Sequence, residues 1–184
     1  MLKNKNYNLF RPEKQGLYDP SNEHDSCGLG FVANFKGKRS HSIINDGLEM
    51  LENLEHRGAV GADKTVGDGA GILTNIPHLF FSNYLKKKGV TLPKEGDYGV
   101  GVFFLPKISK YSKNCINLIE KQIKKNNLEI IYIRKVPTNS KILSPTMRKS
   151  EPHIFQIFIK SKKEGLEKEK LYRKLFVLGK LITN

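Results

Sequence analysis

Cys27 stands in Ser26-Cys27-Gly28-Leu29-Gly30, where a polar stretch gives way to alternating apolar residues. A thiol nucleophile needs a base beside it, and the glycine that follows leaves backbone room for a substrate to approach. If the chain is cut between Ser26 and Cys27, the cysteine becomes N-terminal. Its own α-amine, with an unperturbed pKa of about 7.7–8, can then take the proton. One residue would supply both nucleophile and base. The plainer reading is a small apolar side chain at the start of a strand.

Other reactive residues are weaker candidates. Glu23-His24-Asp25 lies directly before Ser26-Cys27, but triads are assembled in space and sequence adjacency is poor geometry for one. The group also lacks a metal-ligand spacing, so a processing or recognition segment fits better. In His56-Arg57-Gly58 a cationic last turn and a glycine cap would suit the end of a helix. The sharper reading points Arg57 back at the Cys27 site. Gly67-Asp68-Gly69-Ala70-Gly71 lacks the Gly-Lys-Ser/Thr of a phosphate-binding loop and the order of a dinucleotide fingerprint. Tight backbone packing beside the Cys27 strand explains these glycines better. Cys115 falls on the apolar face of a lysine-rich helix and reads as structural.

These residues need elements to position them. Residues 1–26, polar and containing Pro12 and Pro20, read as a leader. Leu29, Phe31, Ala33 and Phe35 alternate in a strand pattern ended by Lys36-Gly37-Lys38. Ser40 or Ser42 can N-cap a helix with Ile44, Leu48, Leu51 and Leu54 on one face and Gly58 after its end. A short strand is expected over 72–76, and Pro77 opens a helix over 78–88. Further strands are expected over 98–105, 128–136 and 153–160. A helix carries Tyr111, Cys115, Leu118, Ile119 and Ile123 on one face, a turn-rich stretch holds Pro137 and Pro145, and a helix over 166–182 closes the chain. Helices and strands do not alternate strictly enough for a doubly wound parallel sheet. The expected class is α+β with a mostly antiparallel sheet. The last helix runs to within two residues of the end, which suggests a piece of a longer chain.

Composition narrows the function. The 184 residues include 38% hydrophobic residues and two cysteines, which argues against a disordered chain, a disulfide scaffold or a zinc ribbon. No run reaches the roughly 18–20 apolar residues of a membrane span, and the N-terminus has no apolar signal core. The net charge of +14 is lopsided: +1 over residues 1–104 and +13 over 105–184. A basic half can mean nucleic acid. Here 26 of the 32 basic residues are lysines, whereas base reading and stacking favour arginine with interleaved aromatics. Runs such as 121–125 and 160–163 read as solvated faces and turns. Neither a nucleic acid nor a membrane is an expected partner.

Taken together, 17–20 (LYDP), 23–31 (EHDSCGLGF), 47–59 (GLEMLENLEHRGA) and 67–73 (GDGAGIL) resemble the start of glutamate synthase large subunits, with a looser echo at 151–159 (EPHIFQIFI). The Cys-Gly start and the helix-terminal Arg-Gly also resemble class-II glutamine amidotransferases in general. The resemblance implies an N-terminal-nucleophile hydrolase fold, an αββα four-layer sandwich of which this chain holds only part. It implies a leader, 1–26, and the first part of the amidotransferase domain, 27–184. Cys27 is the implied catalytic residue, with Arg57 and Gly58 in support. The oxyanion-hole and glutamine-gripping groups are expected beyond residue 184, which would leave these residues inactive alone.

For the longer enzyme the resemblance implies L-glutamine as ammonia source and reductive amination of 2-oxoglutarate. It also implies FMN and an iron–sulfur cluster, with NAD(P)H or ferredoxin as reductant, a small reductase subunit, and a cytoplasmic or plastid location. No cofactor or metal is expected within this segment. The alternatives are a phosphoribosyl, glucosamine-phosphate or asparagine-type amidotransferase, which start at or near the cysteine, and a non-catalytic basic binding module.

Overall fold

Three runs rich in β-branched and aromatic residues pair into one sheet in the computed structural model, which describes residues 14–17, 19, 28–54 and 69–183. The strands are β1 (Tyr98–Leu105), β2 (Leu128–Lys135) and β3 (His153–Ser161), in spatial order β1-β3-β2. Both pairings are antiparallel, with Tyr98 opposite Lys160 at one end and Leu105 opposite His153 at the other. The ladder of β2 shifts between Ile130 and Tyr132, a bulge-like irregularity. The helices are α1 (His41–Asn53), α2 (His78–Lys86), α3 (Ser109–Lys125), α4 (Pro145–Ser150) and α5 (Lys168–Thr183). The mixed class with a small antiparallel sheet is therefore as expected.

The chain divides into two compact units at Thr74/Asn75. In the second, the two faces of the sheet bury different sets of residues because side chains alternate along a strand. One face packs Ile157 and Ile159 with Ile119 and Ile123 of α3 and Leu171 and Leu178 of α5. The other packs Tyr98 and Phe158 with Phe81 and Leu85 of α2. There the Phe81 and Phe158 rings meet edge-on at 4.9 Å, a favoured aromatic geometry. Pro77 is the N-cap of α2.

Several expectations need correcting. Residues 28–35 and 72–76 form no strand; Leu29, Phe31, Phe35 and Leu73 are almost fully exposed. Alternation selects a face, but a strand exists only by exchanging hydrogen bonds with a neighbour, and the described ladders are those of β1, β2 and β3. Helix α1 ends at Asn53 with Leu54 as C-cap, short of Gly58. Ser40 occupies its N-cap position, yet its hydroxyl pairs with that of Ser42 at 2.6 Å rather than with the helix. On α3 the buried stripe runs through Ser112, Ile119 and Ile123, while Tyr111 and Leu118 are exposed. The stretch after Pro137 holds a 3₁₀ turn (Ser140–Ile142) and α4, capped by Ser144, whose hydroxyl accepts from the Met147 amide at 3.3 Å. Pro145 at its first turn fixes a helical φ, so this proline starts a helix.

Candidate functional site

Cys27, Arg57 and Gly58 lie outside the described residues, as do Glu23, His24, Asp25, Gly67 and Asp68. What the structure gives is the framework that touches their chain neighbours within the first unit. Helix α1 is its platform. A Cβ on Gly28 would stand 2.8 Å from Leu54 Cδ2, and one on Gly30 would fall on Met50 Sδ. These two glycines let the backbone beside Cys27 lie directly on the last turn of α1. Any larger residue would push the segment outward or displace Leu54 and Met50. Further back on the same helix, a Cβ on Gly47 would meet Ile72 Cδ1 at 3.1 Å. Arg57 and Gly58 follow Leu54 by three and four residues, so the Gly28–Leu54 contact joins the chain next to Cys27 to the chain leading to Arg57.

Of the glycine-rich loop, residues 69–71 are described and Gly67 and Asp68 are not. Among the described residues, a Cβ on Gly69 or Gly71 would meet nothing within 4 Å. Gly69 has φ +93°, a left-handed conformation that side-chain-bearing residues avoid.

In the second unit, the sequence reading passed over two polar centres. Arg134, in the apolar run of β2, is 8% exposed. Its Nη1 donates to Gln156 Oε1 at 2.7 Å, and its guanidinium carbon lies 4.8 Å from the centroid of the Tyr84 ring. The second centre is Glu151, which accepts from Lys107 Nζ at 2.5 Å and from Ser140 Oγ at 2.7 Å. Lys107 also donates to the Arg148 carbonyl at 3.1 Å. The bonds from Lys107 and then Ser140 hold the Glu151 carboxyl below its ordinary range. This clip fastens the excursion between β2 and β3 and has the character of a structural fastener. At the start of β1, Tyr98 Oη and His78 Nδ1 share a hydrogen bond of 3.0 Å. Burial, and then the charge of Glu95, push the Tyr98 phenol up.

An apolar groove of about 330 Å³ runs between β1 and α5, lined among others by Gly99, Gly101, Phe103, Tyr172 and Leu175. It has no convergent polar groups of the kind that orient a substrate. Cys115 is half-buried and free, in keeping with a structural residue. Among the described residues no group of three or more His, Cys, Asp or Glu side chains could hold a metal ion.

The family of class-II glutamine amidotransferases matches residues 27–184. A glutamate synthase [NADH] of Schizosaccharomyces pombe is 39% identical over 175 residues, covering 92% of this chain and 8% of the relative. The glutamate synthase [NADPH] large chain of Bacillus subtilis is 38% identical over 173 residues, covering 94% of this chain and 11% of its own length. The ferredoxin-dependent glutamate synthase 2, chloroplastic, of Arabidopsis thaliana is 34% identical over the same 173-residue length, with the same shares. The chain thus spans only 8–11% of the length of these curated relatives. With the match running from Cys27 to the last residue, the chain belongs to the class-II glutamine amidotransferases.

Proposed function

We propose that residues 27–184 are the first part of the glutaminase domain of a glutamate synthase, and that residues 1–26 are a leader removed before catalysis. The observation that carries this reading is that the family match begins at Cys27 itself, the residue that a cut after Ser26 would turn into nucleophile and base together. The Cys27 thiol attacks the side-chain amide carbon of L-glutamine while its α-amine takes the thiol proton and passes it to the leaving nitrogen. Ammonia departs, and water hydrolyses the resulting γ-glutamyl thioester to glutamate and free thiol. While Ser26 and Cys27 remain joined, the nitrogen is an amide and cannot act as that base, so cleavage precedes activity. Attack of the Cys27 thiol on the Ser26 carbonyl is the route open to the chain itself. Arg57 and Gly58 support the site from beyond the end of α1.

The ammonia would serve reductive amination of 2-oxoglutarate in the longer polypeptide, where FMN and an iron–sulfur cluster belong. The two cysteines of this chain cannot supply the four thiolates such clusters use, and none of the steps above passes through either group. The relatives' names specify NADH, NADPH or ferredoxin as reductant. The Bacillus name, a large chain, is in keeping with a small reductase subunit. Two relatives are named chloroplastic, and no described helix is long and apolar enough to cross a membrane. A cytoplasmic or plastid location fits both.

For the fold, we infer that this sheet is one layer of the αββα sandwich. Its α3/α5 face is helix-covered, whereas on its α2 face Val102 and Phe104 are more than half exposed. That leaves apolar surface for a second sheet to cover. The test of function is Cys27→Ala in the longer enzyme. Glutamine-dependent synthesis should fall on the order of 10⁴–10⁶-fold while ammonia-dependent synthesis survives. Glutamine-dependent synthesis at the wild-type rate contradicts the assignment.

A further inference from the structure

On the α2 face of the sheet, Lys160 and Glu129 pair with each other at 3.0 Å toward one end, while toward the other end Arg134 has no carboxylate paired with it. Across the strands, Val102 pairs with Gln156 and Gln156 with Arg134, while Phe104 pairs with Ile154 one step further along that face. Helix α2 covers only the other end of this face, through Phe81 and Leu85. Val102 is 52% exposed and Phe104 66%, and Phe80 at the helix start is also exposed. Arg134 lies at the margin between the covered and the open halves. The groups facing its guanidinium are Gln156 of β3 and Tyr84 and Phe80 of α2, the Phe80 ring centroid lying 6.0 Å away. None of them is a carboxylate. Among the described residues its Nε has no hydrogen-bond partner and no ion pair holds it.

A guanidinium stays charged at any physiological pH. A buried charge needs an opposite charge or a full set of hydrogen bonds, and two aromatic rings with one amide oxygen supply only part of that. Closing an apolar layer over this face would desolvate Arg134 further. We infer that the layer covering Val102 and Phe104 is an apolar part of the longer polypeptide presenting one acidic side chain, whose carboxylate pairs with the free nitrogen edge of Arg134. This rests on the sandwich reading above and adds to it the chemistry of the covering surface. Phe80, exposed and loosely placed over the guanidinium, is the side chain that turns aside to admit the carboxylate. The pairing would fix the register of the two layers, since a one-residue slip of a covering strand turns its carboxylate to the opposite face.

The test uses Arg134→Met in the full-length protein, with the thermal midpoint measured against pH. Removing the guanidinium leaves the opposing carboxylate buried and unpaired, which raises its pKa. The variant should therefore lose midpoint at about pH 8 and recover most of that loss by about pH 5, as the acid takes up a proton. A loss of equal size at both ends of the range overturns the pairing, because lost stacking on Tyr84 and a lost bond to Gln156 do not titrate. If Arg134→Met does not fold, Gln156→Glu answers the same question by placing a carboxylate at Arg134 from within. A lowered or unchanged midpoint is expected where Arg134 already has an acid partner, and a raised midpoint contradicts one. Thiol labelling of Val102→Cys in the same protein separates the two ideas. Labelling as fast as in the unfolded chain shows that no layer covers this face and sinks the sandwich reading. Protection together with a pH-independent Arg134→Met loss sinks only the carboxylate.

Discussion

The strand Tyr98–Leu105 and the segment 28–35 are both built on alternating apolar residues, and they meet different ends. The strand pairs along its whole length with β3; Tyr98 and Val100 enter one core and Phe103 the other, while Val102 and Phe104 stay exposed. The segment 28–35 has no ladder; its glycines lie against Leu54 and Met50, while Leu29, Phe31 and Phe35 face outward. Around β1 the described residues bury enough apolar surface to fix one arrangement. Beside Cys27 a close approach of backbone to helix does the positioning and the apolar side chains go unused. Reactive residues often sit where a rigid scaffold presents an otherwise weakly held segment, and residues 28–35 have that form.

Substitutions can break or sharpen this contrast. Phe158, fully buried between Phe81 and Tyr98, should cost about 3–5 kcal/mol when changed to Ala, read from denaturant midpoints. A loss below about 1 kcal/mol, within the range of a modest surface effect, would mean that the second unit is not the well-packed partner in the comparison. Gly30→Ala should cost no more than about 1 kcal/mol, because the new methyl meets the flexible Met50 side chain, which can change rotamer to make room. It should also depress glutamine turnover more than ammonia-dependent turnover, because the displacement starts three residues from Cys27. Equal effects of Gly30→Ala on glutamine-dependent and ammonia-dependent turnover would remove α1 as the platform.

Glu151→Gln gives a smaller, pH-dependent effect. The folded carboxyl is held below its ordinary value, so the stability it contributes is present above the unfolded carboxyl's range and lost as pH falls through the folded value. Wild type and variant should differ near neutrality and converge only in acid, once the pH has fallen below the unfolded carboxyl's range and through the lowered folded value. A gap that persists there assigns the effect to geometry instead of charge. Leu29→Ser should change stability by no more than about 0.5 kcal/mol in this chain, as expected of an exposed side chain. A loss several times larger would show that 28–35 is paired after all.

The parts legible in the sequence were those whose pattern and partner both lie in the same unit. The expected strand 98–105 matches its observed limits, β2, β3, α2 and α5 come within two residues at each end, and the helix expected through Tyr111 and Ile123 is α3. The segments 28–35 and 72–76 show the same signal without a ladder, since periodicity carries no information about who the neighbour is. Helix α4 was obscured by Pro145, whose meaning depends on whether it falls inside a helix or at its first turn. Arg134 was hidden because a charged residue near a strand's end reads as solvated. The clue lay in parity, which puts it on the same face as Tyr132. For Cys27, residue chemistry left a thiol nucleophile and a small apolar side chain both open, and the family resemblance is what singled out the first. Arg57 and Gly58 were not separable from an ordinary helix end without the family resemblance, and the helix they were thought to close ends at Asn53.

The most direct test of the central claim is the N-terminus of the active protein. Intact-mass measurement of the purified full-length enzyme, taken alongside its glutaminase rate, should show a species that begins at Cys27 and lacks residues 1–26, with activity rising in step with its share. Full glutaminase activity from protein that still carries residues 1–26 would contradict both the cleavage and the role of the Cys27 α-amine as base.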